Sequence, residues 1–204
     1  MKPLSTPNTL NDSNSQFSLE DLMKALADTS DERRPVERWH PEHCGKIDIV
    51  IKSDGSWWHE GSRITRKGMV KLFASVLRKD EDGLTYLVTP VEKLTIKVER
   101  AHFIAVRLDA KGEGQDQRLF FTTNLDDVIE VSEDTPLRIE TDDVTGEPDP
   151  YVGVWGRLEA SLSRPVFYEL VDLAVERETP EGPQLGVWAA GHFYPLGPAG
   201  CHDV

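Results

Sequence analysis

At 204 residues and 22.9 kDa the chain has room for one medium domain or two small ones, with a core burying roughly 70% of the unfolded surface, so it needs no disulfide staples. Its 23 Lys and Arg against 36 Asp and Glu leave a net charge of −13, which disfavours general affinity for nucleic-acid polymers or anionic membranes. No apolar run approaches the roughly 20 residues of a membrane span, and the polar stretch Met1–Ser15 lacks the apolar centre of a secretory signal, so the cytoplasm is the expected compartment.

Residues 1–17 are rich in Ser, Thr, Asn and Pro and are expected to be a disordered tail, because so few apolar side chains cannot offset the entropy of ordering them. Ser18, then Asp21 and Leu19, Leu22, Met23 and Leu26 at helical spacing, predict a capped amphipathic helix that ends in the charged run Asp28–Pro35. This helix and its connector occupy 18–45. Ile47, Ile49 and Ile51 alternate along a predicted strand, and Ser53-Asp54-Gly55 supplies the turn of a hairpin that returns through Trp57 and Trp58.

Thr65 is the expected cap of a second helix, with Met69, Leu72, Phe73, Val76 and Leu77 as one apolar stripe reaching to about Lys79. After the acidic turn Asp80–Gly83, the segments Leu84–Val88, Leu94–Val98, Phe103–Leu108 and Leu119–Thr122 are β-branched or aromatic runs. They predict an antiparallel meander, with Lys111–Gln115 as one of its loops.

A shift of 98 positions lays Ile64-Thr65-Arg66 over Leu162-Ser163-Arg164 and the stripe of the second helix over Phe167, Leu170, Val171, Ala174 and Val175. Each helix follows an aromatic strand and precedes an acidic turn with glycine and a further apolar strand. The expectation is an α+β fold of two related strand-turn-strand-helix-strand units, mostly antiparallel, covering 46–108 and 109–204. Any two amphipathic helices with Ser or Thr caps align in a similar way, which is the plainer explanation.

Few residues point to chemistry. His40, His43 and Cys44 offer three zinc-type ligands, but the nearest comparable partner is Cys201-His202 at the far C-terminus, so packing of Trp39 and Cys44 and no metal are expected. Two cysteines 157 positions apart fit a reducing compartment rather than a disulfide framework. The run Asp142–Glu147 is out of register for a calcium loop, and Asp126-Asp127 and Glu133-Asp134 read as solubilising charge. No G-x-S-x-G, P-loop, H-E-x-x-H or C-x-x-C is present, and no cofactor is expected.

The best candidates are Arg66 and Arg164, each just after a capping hydroxyl (Thr65, Ser163), where free backbone N–H groups and the helix dipole favour a phosphate or carboxylate. Ion pairs with some of the many acidic residues explain these arginines equally well. Trp57, Trp58 and Tyr86 near one helix, and Tyr151, Trp155 and Trp188 near the other, are candidate stacking faces for a base, though core packing accounts for most tryptophans.

The strings Cys44–Ile49, Asp54–Trp57, Gly61-x-x-Ile64-x-Arg66 and above all Tyr86-Leu87-Val88-Thr89-Pro90-Val91-Glu92-Lys93 resemble a bacterial family catalogued as domain of unknown function 1285. Thr123-Asn124, Tyr151-Val152, Arg157–Ala160 and Arg164–Leu170 extend the resemblance over residues 36–197. It implies a duplicated α+β core, a second half loosely similar to pleckstrin-homology folds, and a cleft between the halves for a nucleotide-like ligand. Lys93 joins the candidate site on this ground, and a part in bacterial signalling is implied. No reaction comes with the resemblance.

Three functions remain open at this point: a non-enzymatic cytoplasmic sensor or adaptor binding a small anionic ligand between its halves, a protein-interaction module with an acidic C-terminal half facing a basic partner, and a hydrolase. The charge is uneven, since residues 46–108 carry 12 basic against 8 acidic side chains and residues 109–204 carry 6 against 20. A local anion site in the first half is therefore compatible with the global charge.

Overall fold

The computed structural model describes residues 34–141, 146–180 and 182–199, together with Leu26. The expected tail at 1–17 lies outside the described residues. So does the expected helix after Ser18 except for Leu26, which is helical and buried.

The first sheet contains β1 (His43–Ile51), β2 (Trp57–His59), β3 (Ser62–Arg63), β4 (Leu77–Lys79), β5 (Thr85–Val88) and β6 (Glu92–Val98). Its strand order is β3-β2-β1-β6-β5-β4, with β1 and β6 parallel and every other pair antiparallel. The alternation read from β1 is realised: Ile47, Ile49 and Ile51 are buried, while Lys46 and Asp48 are exposed. Asp54 Oδ1 accepts from the Ser56 N–H at 2.9 Å, which closes the β1–β2 turn around Gly55. Gly55 sits at φ +74°, and a Cβ there would stand 2.9 Å from Nδ2 of Asn124. The hairpin tip thus packs on the second half at a distance only glycine allows.

The second sheet contains β7 (Phe103–Lys111), β8 (Arg118–Thr123), β9 (Val128–Glu130), β10 (Leu137–Thr141), β11 (Pro148–Trp155) and β12 (Leu158–Leu162), in the order β10-β11-β12-β7-β8-β9 with β7 and β12 parallel. Both sheets therefore follow one plan: two three-stranded meanders joined by a parallel seam between the first strand and the last. The fold is a duplicated α+β fold, as expected, and the duplication is plainest in these sheets. The seams were not foreseen, because they pair segments far apart in sequence. β7 crosses position 108, where the division between repeats was drawn, and the change of sheet lies between Val98 and Phe103. A third, antiparallel sheet is formed by β13 (Val175–Thr179), β14 (Gly182–Ala189) and β15 (His192–Pro198).

Besides the helical residue Leu26, two α-helices are found among the described residues. α1 (Lys67–Ala74) links β3 to β4, which lie on opposite edges of the first sheet, and α2 (Arg164–Asp172) follows β12. α1 is shorter than its stripe predicts. Ser75 Oγ donates to the Leu72 carbonyl at 2.7 Å, and the chain leaves the helix so that Leu77 pairs with Leu87 in β4. Val76 and Leu77 are buried all the same, which is why they looked like a continued stripe.

The cap of α1 is Arg66 rather than Thr65, and the cap of α2 is Ser163 as expected. Caps and fully buried residues (Phe73, Leu170) then align at a shift of 97, one fewer than the sequence suggested. At 98, buried Val70 would lie over Tyr168, which is 61% exposed. One residue is about 100° of helix, enough to turn a stripe off its face. One hydrophobic cluster runs through both halves, from Leu26 to Ala189. Among the described residues no helix is long and apolar enough to cross a membrane.

Candidate functional site

Between the two halves lies a cleft of about 600 Å³. Its floor is the end of β4 and the turn Asp80–Asp82, and its opposite wall is the β11–β12 turn from Trp155 to Leu158, with Glu37 and His40 at the side. Trp155 is held by Phe103, whose ring meets it edge to face at 5.2 Å.

Arg78 builds the floor. Its guanidinium donates to the carbonyls of Val36 at 2.7 Å and Trp39 at 2.8 Å, and to Asp80 Oδ1 at 2.6 Å, tying the 3-10 turn Val36–Arg38 to the sheet. Lys93 reaches the other oxygen of Asp80. Burial acts to raise the Asp80 carboxyl, yet hydrogen bonds from Arg78 and Lys93 outweigh it and hold the group below the usual carboxylate range. Burial likewise acts to lower Lys93, and Asp80 prevails and raises it. Tyr86 donates to Asp82 at 2.6 Å and is raised mainly by that bond, while Lys93 lies 3.7 Å over its ring. In this state Asp80 is anionic with both oxygens engaged by Arg78 and Lys93, Lys93 is cationic, and Tyr86 is protonated.

Several contacts join the halves. Arg157 on the second half meets Glu81 on the first at 2.8 Å, with side chains 55% and 86% exposed. Lys67 and Lys71 of α1 pair with Asp126 at 2.8 and 2.9 Å, so the Asp126-Asp127 pair expected to be solubilising supplies an inter-half contact. His102, 5% exposed, is the buried link: its Nδ1 accepts from the Glu159 N–H at 3.2 Å and its Nε2 lies 3.0 Å from Thr85 Oγ1. Burial foremost, then the charge of Lys79, pushes it down to about 4, so it is neutral.

Of the residues singled out in the sequence, Trp155 and, from the zinc-type group, His40 line the cleft, and Tyr86 and Lys93 stand behind its acidic floor. The two arginines are not brought to it. Arg164 is exposed and pairs with Glu147 at 3.2 Å, while Arg66 and Thr65 are exposed at the start of α1. Ser163 is half-buried as the cap of α2. Trp57 is a core residue stacked on Phe73 at 6.3 Å, and Trp58 is half-buried and bonded to Ser56. Tyr151 is buried beneath Arg138, 4.4 Å from its ring. Cys44, expected to pack, is exposed. Among the described residues no cluster of His, Cys, Asp and Glu could hold a metal ion, and Cys201 and His202 lie outside them.

Sequence reasoning missed Arg78, Lys79, Asp80, Glu81 and Arg157. The acidic turn was read as a helix stop, and only the sheet pairing that brings β4 to the edge facing the β11–β12 turn gives those charges a place.

Comparison with known proteins agrees with this architecture. Residues 34–101 match the N-terminal domain described as domain of unknown function (DUF1285), and residues 102–196 match the C-terminal domain described as protein of unknown function (DUF1285). A crystal structure of a DUF1285 family protein from Silicibacter pomeroyi DSS-3 is 42% identical, with a TM-score of 0.80 over 87% of this chain and 94% of its own. One from Shewanella baltica OS155 is 24% identical, with a TM-score of 0.48 over 61% of this chain and 90% of its own. No curated protein matches. With both domain matches meeting at the change of sheet and a relative this similar over nearly its whole length, the chain belongs to the DUF1285 family.

Proposed function

We propose that the chain is a non-enzymatic sensor or adaptor of bacterial signalling in the cytoplasm, and that it binds a small anionic, nucleotide-like ligand in the cleft between its halves. The observation that carries this reading is the Arg157–Glu81 pair across the mouth of a cleft of ligand size. A pair so exposed contributes little to stability, so a ligand anion can take the place of Glu81 on Arg157 at small cost. Lys79, also in the cleft, makes no ion pair among the described residues and supplies a second cation. Trp155 offers a flat face for a base. Because the walls belong to different halves, occupancy would fix one half against the other, which is how binding would become a signal.

The test is thermal unfolding of the full chain with a panel of nucleotides. Binding at a hundredfold excess over Kd adds about 2.7 kcal/mol, a shift of roughly 5–10 °C for a chain of this size. The Lys79→Gln, Arg157→Gln double variant should lose the shift, and Arg66→Ala with Arg164→Ala should keep it. No shift with any nucleotide or phosphorylated metabolite overturns the reading, as does full binding by the Lys79→Gln, Arg157→Gln protein.

A further inference from the structure

From His102 on, the second half has six arginines against its twenty acidic residues, and five of them meet a carboxylate: Arg107 with Asp109, Arg118 with Glu130, Arg138 with Glu159, Arg157 with Glu81 and Arg164 with Glu147. Arg177 on β13 meets none among the described residues. Its guanidinium lies instead over two aromatic rings, Trp188 at 4.8 Å and Phe193 at 5.2 Å. Those rings meet edge to face at 5.5 Å.

The platform is built by register. Trp188 and Phe193 are partners across β14 and β15, and Val187 and Ala189 on either side of Trp188 are fully buried on the opposite face. Gly186 makes room for the Phe193 ring: a Cβ there would stand 2.5 Å from its Cζ and 2.5 Å from the Tyr194 carbonyl oxygen. Beside the platform runs a groove of about 390 Å³, walled by Arg177, Thr179, Pro180, Phe193 and Pro195 among others. Among the described residues β13 pairs only with β14, which leaves its outer edge open there, and Val175–Glu178 are exposed.

A guanidinium stacked on aromatic faces keeps its N–H edge free and already oriented, so an incoming carboxylate meets a fork whose rotamers are settled. Glu176 and Glu178 flank Arg177 along the strand, and Glu178 also lines the groove. A carboxylate is therefore favoured at one position and opposed at its neighbours. We propose that this groove is a docking site for an extended segment of a partner protein. The segment lies across the face of the sheet, presenting one acidic side chain to Arg177 and setting an apolar or proline residue against Phe193 and Pro195. The site is separate from the inter-half cleft and lies on other elements.

The experiment applies the full chain to an array of extended peptides synthesised in matched pairs, Asp or Glu in one member and Asn or Gln at the same place in the other. Carboxylate members should be retained over their amide partners. Arg177→Gln should weaken that retention by roughly ten- to hundredfold, the loss of a charge-assisted hydrogen-bonded pair, with its thermal midpoint lowered by no more than about 4 °C through the lost ring contacts. Arg157→Gln in the cleft should bind the array as the parent does. Equal retention of both members, retention of neither, or a loss shared by Arg157→Gln overturns the proposal. Self-association of the chain that Arg177→Gln abolishes would give the groove to a second copy and overturn the assignment to a peptide.

Discussion

Protonating His102 would require both ring nitrogens to donate, and the Glu159 N–H already occupies Nδ1. The ring faces Lys79 from β4, Thr85 from β5 and Glu159 from β12, and burial outweighs the attraction of Glu159. With a folded value of about 4 against an ordinary 6.5, the unfolded chain takes up this proton first as pH falls. The stabilisation is fully present above 6.5 and is lost between 6.5 and about 4, approaching roughly 3 kcal/mol at the lower end. Denaturant unfolding at pH 7 and pH 5 should show about 2 kcal/mol of this drop in the parent and a markedly smaller one in His102→Asn. Equal drops would mean that carboxylates elsewhere carry the acid sensitivity.

The helices make the corresponding case at the scale of elements. Phe73 is fully buried against Trp57, so Phe73→Ala should cost roughly 3–5 kcal/mol in chemical denaturation. Tyr168→Ala, at the position the sequence alignment set over buried Val70, should change stability by no more than about 0.5 kcal/mol. A large cost at Tyr168 would restore the shift of 98.

The error in register is instructive. Strands with period two, such as Ile47-Ile49-Ile51, were legible because local alternation suffices to place them. The end of α1 was not, because Val76 and Leu77 are apolar whether they continue a helix or turn into β4, and only pairing with β5 decides. Candidate residues divide in the same way. Lys93 and Tyr86 stood in a motif long enough to identify, whereas the floor of the cleft is assembled by pairing across the edge of a sheet. Arg66 and Arg164 matched a local rule for anion sites, and nothing local could say that they end outside the cleft.

At the scale of the molecule, the two halves share one continuous core and meet through His102, Gly55 and the pairs of Asp126 and Glu81. A core with no break between halves predicts one cooperative transition, with far-ultraviolet and tryptophan signals falling together on heating. Two resolved steps would mean that the halves unfold separately. Surface pairs such as Lys67–Asp126 add little, so the midpoint should change only slightly with salt.

The parallel seams also bear on how the chain is made. In each large sheet the strand synthesised first must wait for the strand synthesised last, since β1 pairs with β6 and β7 with β12. Neither sheet can close during translation until its final strand has left the ribosome, and until then each is two separate meanders whose facing edges are unpaired. Closure over such sequence separation is slow. The vulnerable interval for aggregation or proteolysis is therefore the time between the emergence of β1 and the emergence of β6, and again between β7 and β12.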